Sequence, residues 1–206
     1  MEKPYIVGVC GTITSRKSGL CRVMNEFGII TIDCDTIGHD ILQNEEVKTK
    51  VLALFGDTIL DDSKTEIDRT KLADIVFSSQ SKLSQLNKVT WDKIEEIVLS
   101  KIEIERMKGT KIVGIEAALL IKTNWAKWMD EVWVTVVSPK IALDKLTYGR
   151  GLTLPQAKSR LKSQPKSSEY VRFADVLFDS RHNKRTMTRI FREEVKCLVD
   201  RVHRKI

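Results

Sequence analysis

Few features of this sequence advertise its chemistry. Its four cysteines, Cys10, Cys21, Cys34 and Cys197, form no C-x-x-C pair, and its three histidines, His39, His182 and His203, are scattered. That spacing speaks against a clustered metal site, and the cysteines sit in apolar or helical contexts as buried free thiols do. No apolar run reaches the roughly 18 residues of a membrane span, and no signal or transit segment precedes the first apolar run. A cytoplasmic protein with no membrane contact is the expectation. Internal repeats and low-complexity linkers are absent. The 35 Lys and Arg against 28 Asp and Glu give a charge of +7, but the excess is spread out. Only the tail, Arg201 to Lys205, is densely basic, as a solvated helix end would be. A spread positive charge fits a small polyanion. Without aromatic–basic interleaving or a recognition-helix pattern, nucleic acid is not the expected partner. The 206 residues, 42% hydrophobic and 31% charged, suit one α/β domain with a sizeable core.

Glycine is scarce at the point where it matters most. Ile6 to Cys10 is a short β-branched apolar run, Gly11 follows, and a polar loop leads to Lys17-Ser18. From Gly19 to Phe27 the apolar residues Leu20, Val23, Met24 and Phe27 recur at helical spacing, with Gly28 where a helix takes its terminal glycine. Ile29 to Ile32 is a second apolar run, closing on Asp33-Cys34-Asp35. This reads as strand, phosphate-sized loop, helix and strand, with acids at the second strand's end. A helix N-terminus offers free N–H groups to an anion. In the phosphate-loop pattern G-x-x-x-x-G-K-[ST], the Lys meets the phosphates and the hydroxyl meets Mg²⁺. Gly11, Thr12, Ile13, Thr14, Ser15, Arg16, Lys17 and Ser18 fit this pattern except at Arg16, which stands where the second glycine belongs. Keeping the same path with a non-glycine there costs on the order of 1 kcal/mol. The alternative is an ordinary strand–helix opening with a surface Lys-Ser.

Beyond Asp35 the pattern is mainly helical, with a long helix expected from Leu83 to Met107. Lys111 to Ile115 reads as a buried strand with Glu116 at its end, and Glu131 to Val137 as another. Ser138-Pro139 has the cap and first-turn proline of a helix running to about Thr147, near Gly149-Arg150-Gly151. Ala174 to Asp179 is a last short strand, and the final helix carries Met187, Ile190, Phe191, Val195 and Val199. Strands alternating with helices predict a parallel sheet flanked by helices.

Ligands of open parallel sheets sit beyond the carboxyl ends of the strands. The Gly11–Ser18 loop, Asp33 and Asp35, Glu116, and the basic segment after Val137 all fall at such ends. Phosphoryl transfer needs these partners: a cation and hydroxyl for phosphate and Mg²⁺, an acid for the acceptor's proton, and a late arginine over the moving group.

The order of these features resembles the dephospho-coenzyme A kinase family, over essentially the whole chain. The landmarks are Ile32-Asp33-Cys34-Asp35, Phe55-Gly56, Asp61-Asp62, Asp68-Arg69-Thr70-Lys71-Leu72, Val76-Phe77, Leu86-Asn87, Glu116 to Lys122, Arg150 to Thr153 with Ala157, Arg160 and Gln164, and Ala174 to Ser180. The resemblance implies a three-layer α/β fold of the P-loop, nucleoside-monophosphate-kinase-like type. Within a single domain 1–206 it implies a core of 1–37, 111–137 and 173–206, a helical acceptor-binding region 38–110 and a lid 138–172. It implies ATP and Mg²⁺ as cofactors and phosphorylation of the ribose 3′-hydroxyl of dephospho-coenzyme A, the last step of coenzyme A synthesis. By the same carry-over Asp35 is the general base, Lys17 and the loop hold phosphates, Ser18 and Glu116 serve the metal, and Arg150 is the lid arginine. Five positions depart from the family pattern: Arg16, Trp91-Asp92 for a His-Pro, Lys122 for a Glu, and Ser180 for an Asn. They leave open a second reading, a homologue that binds nucleotide or coenzyme A as a sensor or scaffold.

Overall fold

The computed structural model describes residues 2–204, apart from the side chain of Phe77; Lys205, in the basic tail, lies outside them. The chain forms two compact units, Met1–Asp33 with Ile102–Ile206, and Cys34–Lys101. The expected boundary at 38 falls inside a helix; the division comes before it, between Asp33 and Cys34.

The larger unit is built on a parallel sheet of β1 (Tyr5–Gly11), β2 (Ile30–Asp33), β3 (Ile112–Glu116), β4 (Glu131–Val136) and β5 (Val176–Asp179) in the order β2-β3-β1-β4-β5. The central strands are buried along nearly their whole length, so their sequences are unbroken apolar runs. Register aligns Val9 with Glu116 and with Trp133, and Gly11 with Thr135. Helix α1 (Lys17–Glu26) follows β1 directly, and the C-terminal helix, Lys184–His203, packs beside it. Their apolar stripes meet one face of the sheet in a core that includes Val7, Val9, Leu20, Met24, Trp133 and Phe191. Phe178 links the layers, 5.6 Å from Trp133 and 5.1 Å edge-on from Phe191 between ring centroids. The opposite face is covered by the segment after β3, where Leu120 and Met129 lie over Gly8. Tyr170 is wholly buried on that side and donates its hydroxyl to the Ala118 carbonyl at 2.9 Å. Helices on both faces make this unit three-layered.

The second unit is helical: α2 (Cys34–Asp40), α3 (Glu45–Phe55), α4 (Arg69–Phe77) and α5 (Gln80–Met107), which runs on past its boundary. Asn44 caps α3 by accepting from the Val47 N–H, and Asp68 caps α4 through the N–H groups of Thr70 and Lys71. Asp61 closes the turn between them by accepting from the N–H groups of Thr65 and Glu66. Lys93 of α5 reaches Glu46 of α3 at 2.7 Å. Arg69 binds both the ring Nδ1 of His39, at 2.7 Å, and the His39 carbonyl, joining the start of α4 to the last turn of α2.

In the larger unit, segment 138–172 holds α6 (Pro139–Arg150), α7 (Leu154–Lys162) and α8 (Ser167–Val171), and the C-terminal helix is α9. Ser138 caps α6 with proline at its first position, as the sequence predicts.

Candidate functional site

The backbone of the loop between β1 and α1 is tightly constrained. Gly11 sits at φ 145°, and a Cβ there would run into the Thr135 carbonyl oxygen, so only glycine fits. Its neighbour Thr12 is tied to β4 twice: its N–H donates to the Thr135 carbonyl and its hydroxyl accepts from the Val137 N–H, each at 3.1 Å. Ser15 is buried, its hydroxyl 2.6 Å from that of Thr135, and its carbonyl accepts from the Ser180 hydroxyl at 2.6 Å. Ser180, read from sequence as a loss, is thus a brace for the loop. Thr14 and Arg16 both adopt positive φ, 61° and 75°. Arg16 holds a left-handed conformation of the kind that favours glycine, and it is the N-cap of α1. The loop holds this path at the expense of strain.

This path aims the start of α1 beyond the carboxyl ends of β1 and β4. The first N–H groups of a helix have no intrahelical acceptor and carry its positive dipole end. Lys17 holds its ammonium 3.3 Å from the Gly11 carbonyl, curled over the loop. Ser18 donates to Glu116 Oε1 at 2.9 Å, bringing together two hard oxygen donors from α1 and the end of β3. Asp33, at the end of β2, stands beside Glu116 in register. Cys21 shares the same pocket of charge: burial first, then the Glu116 carboxylate, push its thiol well above the ordinary range. The thiol is inert there, as the sequence reading expects for a buried cysteine. Among the described residues no three or more His, Cys, Asp or Glu side chains gather into a cluster that could hold a metal ion. Ser18 and Glu116 instead suit Mg²⁺, which keeps most of its waters and takes one or two protein oxygens together with phosphates.

The two remaining expected residues are placed differently. Asp35 is not at the end of a strand. β2 stops at Asp33, α2 begins at once with Cys34, and Asp35 stands exposed in the first turn of that helix, where a negative charge is favoured. Arg150 is the last residue of α6, exposed. On α6, Lys145 touches the loop, donating to the Thr14 carbonyl at 3.2 Å. Burial, then the charge of Arg16, lower its pKa from the usual lysine range, so an anion arriving here would be welcomed. The sequence offered no signal for Lys145, one lysine among many on a partly polar helix. Lys122, another departure from the pattern, pairs with Glu169 of α8 at 2.8 Å. Trp91 and Asp92 lie on α5 in the helical unit.

Beyond β4 and β5 a cavity of about 490 Å³ opens beside the start of α6, with Val137, Pro139 and Ile141 along one wall and Asp179 and Arg181 along another.

The family described as dephospho-CoA kinase (CoaE) matches residues 5–186 of the chain. A curated relative from Dehalococcoides mccartyi, named dephospho-CoA kinase, is 36% identical over 176 residues, 85% of this chain and 88% of its own. One of the same name from Arabidopsis thaliana is 34% identical over 176 residues, 85% of this chain and 75% of its own. Among solved structures, a Thermus thermophilus protein aligns with a TM-score of 0.78 at 20% identity, over 97% of this chain and 98% of its own. The dephospho-CoA kinase of Campylobacter jejuni aligns at 0.59 and 22% identity, over 98% of both chains. At these identities the two structures speak to the fold.

Proposed function

Because the chain belongs to the dephospho-CoA kinase family, we propose that it transfers the γ-phosphoryl group of ATP to the ribose 3′-hydroxyl of dephospho-coenzyme A. The observation that carries this reading is the mouth of α1, where the Lys17 ammonium curls over the Gly11 carbonyl and the Ser18 hydroxyl meets Glu116. A triphosphate lying across the start of α1 would meet its N–H groups and the Lys17 charge. Ser18 and Glu116 would hold Mg²⁺, with Asp33 beside them for its waters. When bound, that ion would supply charge neutralisation for the phosphates. Lys145 covers the loop from the α6 side, and α6 to α8, with Arg150, form the lid that excludes water. The apolar wall of Val137, Pro139 and Ile141 suits a flat base.

In the transfer, the acceptor oxygen forms a bond to the γ-phosphorus as the bridging oxygen bond to ADP breaks. The hydroxyl proton passes to a base, the role that the family resemblance implies for Asp35. The non-catalytic reading rests on Arg16, Trp91-Asp92 and Lys122, and none of these removes the cation, the hydroxyl or the acids.

The test is a coupled ADP-release assay with ATP, Mg²⁺ and dephospho-coenzyme A, with the 3′-phosphorylated product identified by mass. Turnover at roughly 1–100 per second supports the kinase. Nucleotide binding without turnover would support the sensor instead. Within the active enzyme, Asp35→Asn is expected to lower kcat by roughly 10²–10⁴ with ATP affinity nearly unchanged. Wild-type turnover in that variant takes Asp35 out of the mechanism.

A further inference from the structure

A second cavity, of about 460 Å³ and positively charged, opens between α1 and α9 in the same unit. Three cations stand around it: Arg16 from the loop, Arg22 from α1 and Lys184 from the first turn of α9. Its single acid, Glu26, is already engaged by Arg192 through two bonds of 2.9 and 3.0 Å, so the field inside stays positive. The apolar part of its lining is Val23, Met187 and Phe191, which are largely buried. Most telling is Arg16 itself. Its Nε is buried and finds no hydrogen-bond partner among the described residues. A buried charged donor without an acceptor is costly, and so is the left-handed backbone that holds it there. The arginine that replaces the glycine thus sends its side chain into the groove between the helices.

We propose that this groove is an anion-binding site separate from the phosphate cradle, and that it takes a phosphate monoester with a flat apolar body. The three cations bind the phosphate, and the body lies against the apolar lining of the groove. The volume falls within the range of small-molecule sites. Because Arg16 is also the N-cap of α1, an occupant of the groove fastens the strained turn that shapes the cradle. Only this coupling to ATP rests on the kinase reading; binding in the groove does not.

Phenyl phosphate is a suitable probe. Titrated calorimetrically into protein saturated with ADP, it is expected to bind one further equivalent with a Kd of roughly 0.1–1 mM. Inorganic phosphate should bind at least severalfold more weakly, since it makes no use of the apolar lining. Arg22→Gln with Lys184→Gln, both exposed on helices and checked for folding by circular dichroism, should weaken phenyl phosphate about tenfold or more and leave ADP within twofold. Three results overturn the proposal: no heat beyond the ADP-saturated protein, equal binding of the two phosphates, or unchanged affinity in the double variant. A tenfold loss of ADP affinity in the double variant also overturns it, because the groove would then belong to the nucleotide's own site. If ADP fails to bind at all, the kinase reading fails, and the double variant still reports on the groove with phenyl phosphate alone.

Discussion

At the amino edge of the sheet, charges meet their partners. Glu131 accepts from the Tyr5 hydroxyl at 2.8 Å, from the Trp133 indole at 2.7 Å and from Arg201 at 2.7 and 2.9 Å, drawing β1, β4 and α9 together. Asp130 accepts from the Ile6 N–H and Asp175 from the Val132 N–H, each at 2.7 Å, so strand starts are capped by acids of neighbouring elements. The carboxyl edge of the same strands is the reverse. Thr14 and Arg16 sit at positive φ, the Thr14 hydroxyl and Arg16 Nε are buried without partners among the described residues, and Lys145 is held short of its full basicity. One edge is saturated and holds the fold; the other stores strain and unmet hydrogen-bonding capacity, which a bound polyanion can relieve.

The sharpest way to break this contrast is at the strained edge. Lys17→Met should cut kcat/KM for ATP by roughly 10²–10³, since it removes a preorganised charge facing the transferred group. It should leave the melting temperature within a few degrees, because the Lys17 contact with Gly11 is a long one, 3.3 Å, on a partly exposed side chain. A large loss of stability together with activity would mean that the two edges are not separable in this way.

The converse change belongs at the saturated edge. Glu131→Gln keeps the shape but loses the charge and one accepting oxygen beneath three donors, at about 2–3 kcal/mol. For a chain of this size that is roughly a 4–10 °C fall in melting temperature, with kcat/KM within twofold. The pH dependence has a definite sign. Burial alone would raise the Glu131 carboxyl, but the bonds from Trp133, Tyr5 and Arg201 together outweigh it and hold it low. Its contribution is therefore present above the ordinary glutamate pKa of about 4.3 and lost as pH falls through the lower folded value. The margin of wild type over the variant should be full at pH 7 and shrink towards pH 3; an equal margin at both would show that the charge is not its source. Tyr5, pushed up to about 12 chiefly by burial and then by Glu131, stays protonated throughout that range.

The two edges also differ in how much of them could be read in advance. The strands and helices around the loop follow from apolar runs and helical spacing, and Gly28 and Ser138-Pro139 mark ends that the structure keeps. The Lys17–Ser18 pair and Glu116 are legible because a local pattern and a strand end place them. Asp35 was visible as an acid but not as a helical one, because no linker separates β2 from α2. The Glu131 network was invisible: its donors lie up to 126 positions away, and no local pattern encodes such a meeting. Ser180 and Lys145 belong to the same class, each defined by a bond to a loop more than 130 residues earlier in the chain.

Arg16 is where pattern and structure disagree in name and agree in shape, and it gives the smallest and most informative change. Arg16→Gly restores the residue the turn prefers. Relief of the left-handed conformation, about 1–2 kcal/mol, is partly offset by the greater freedom of glycine in the unfolded chain, about 0.5–1 kcal/mol. The net is roughly 0.5 kcal/mol of added stability, a rise of about 1–2 °C for a protein of this length. The side chain brings a buried, unbonded Nε as well, so its removal adds to the rise. A differential scanning measurement without ligand should find the variant more stable than wild type. With phenyl phosphate present, wild type should regain the difference, because only wild type keeps Arg16 among the cations of the groove. A variant that melts lower than wild type in the absence of any anion would mean that the turn is not strained by its arginine, and the contrast between the two edges would lose its clearest instance.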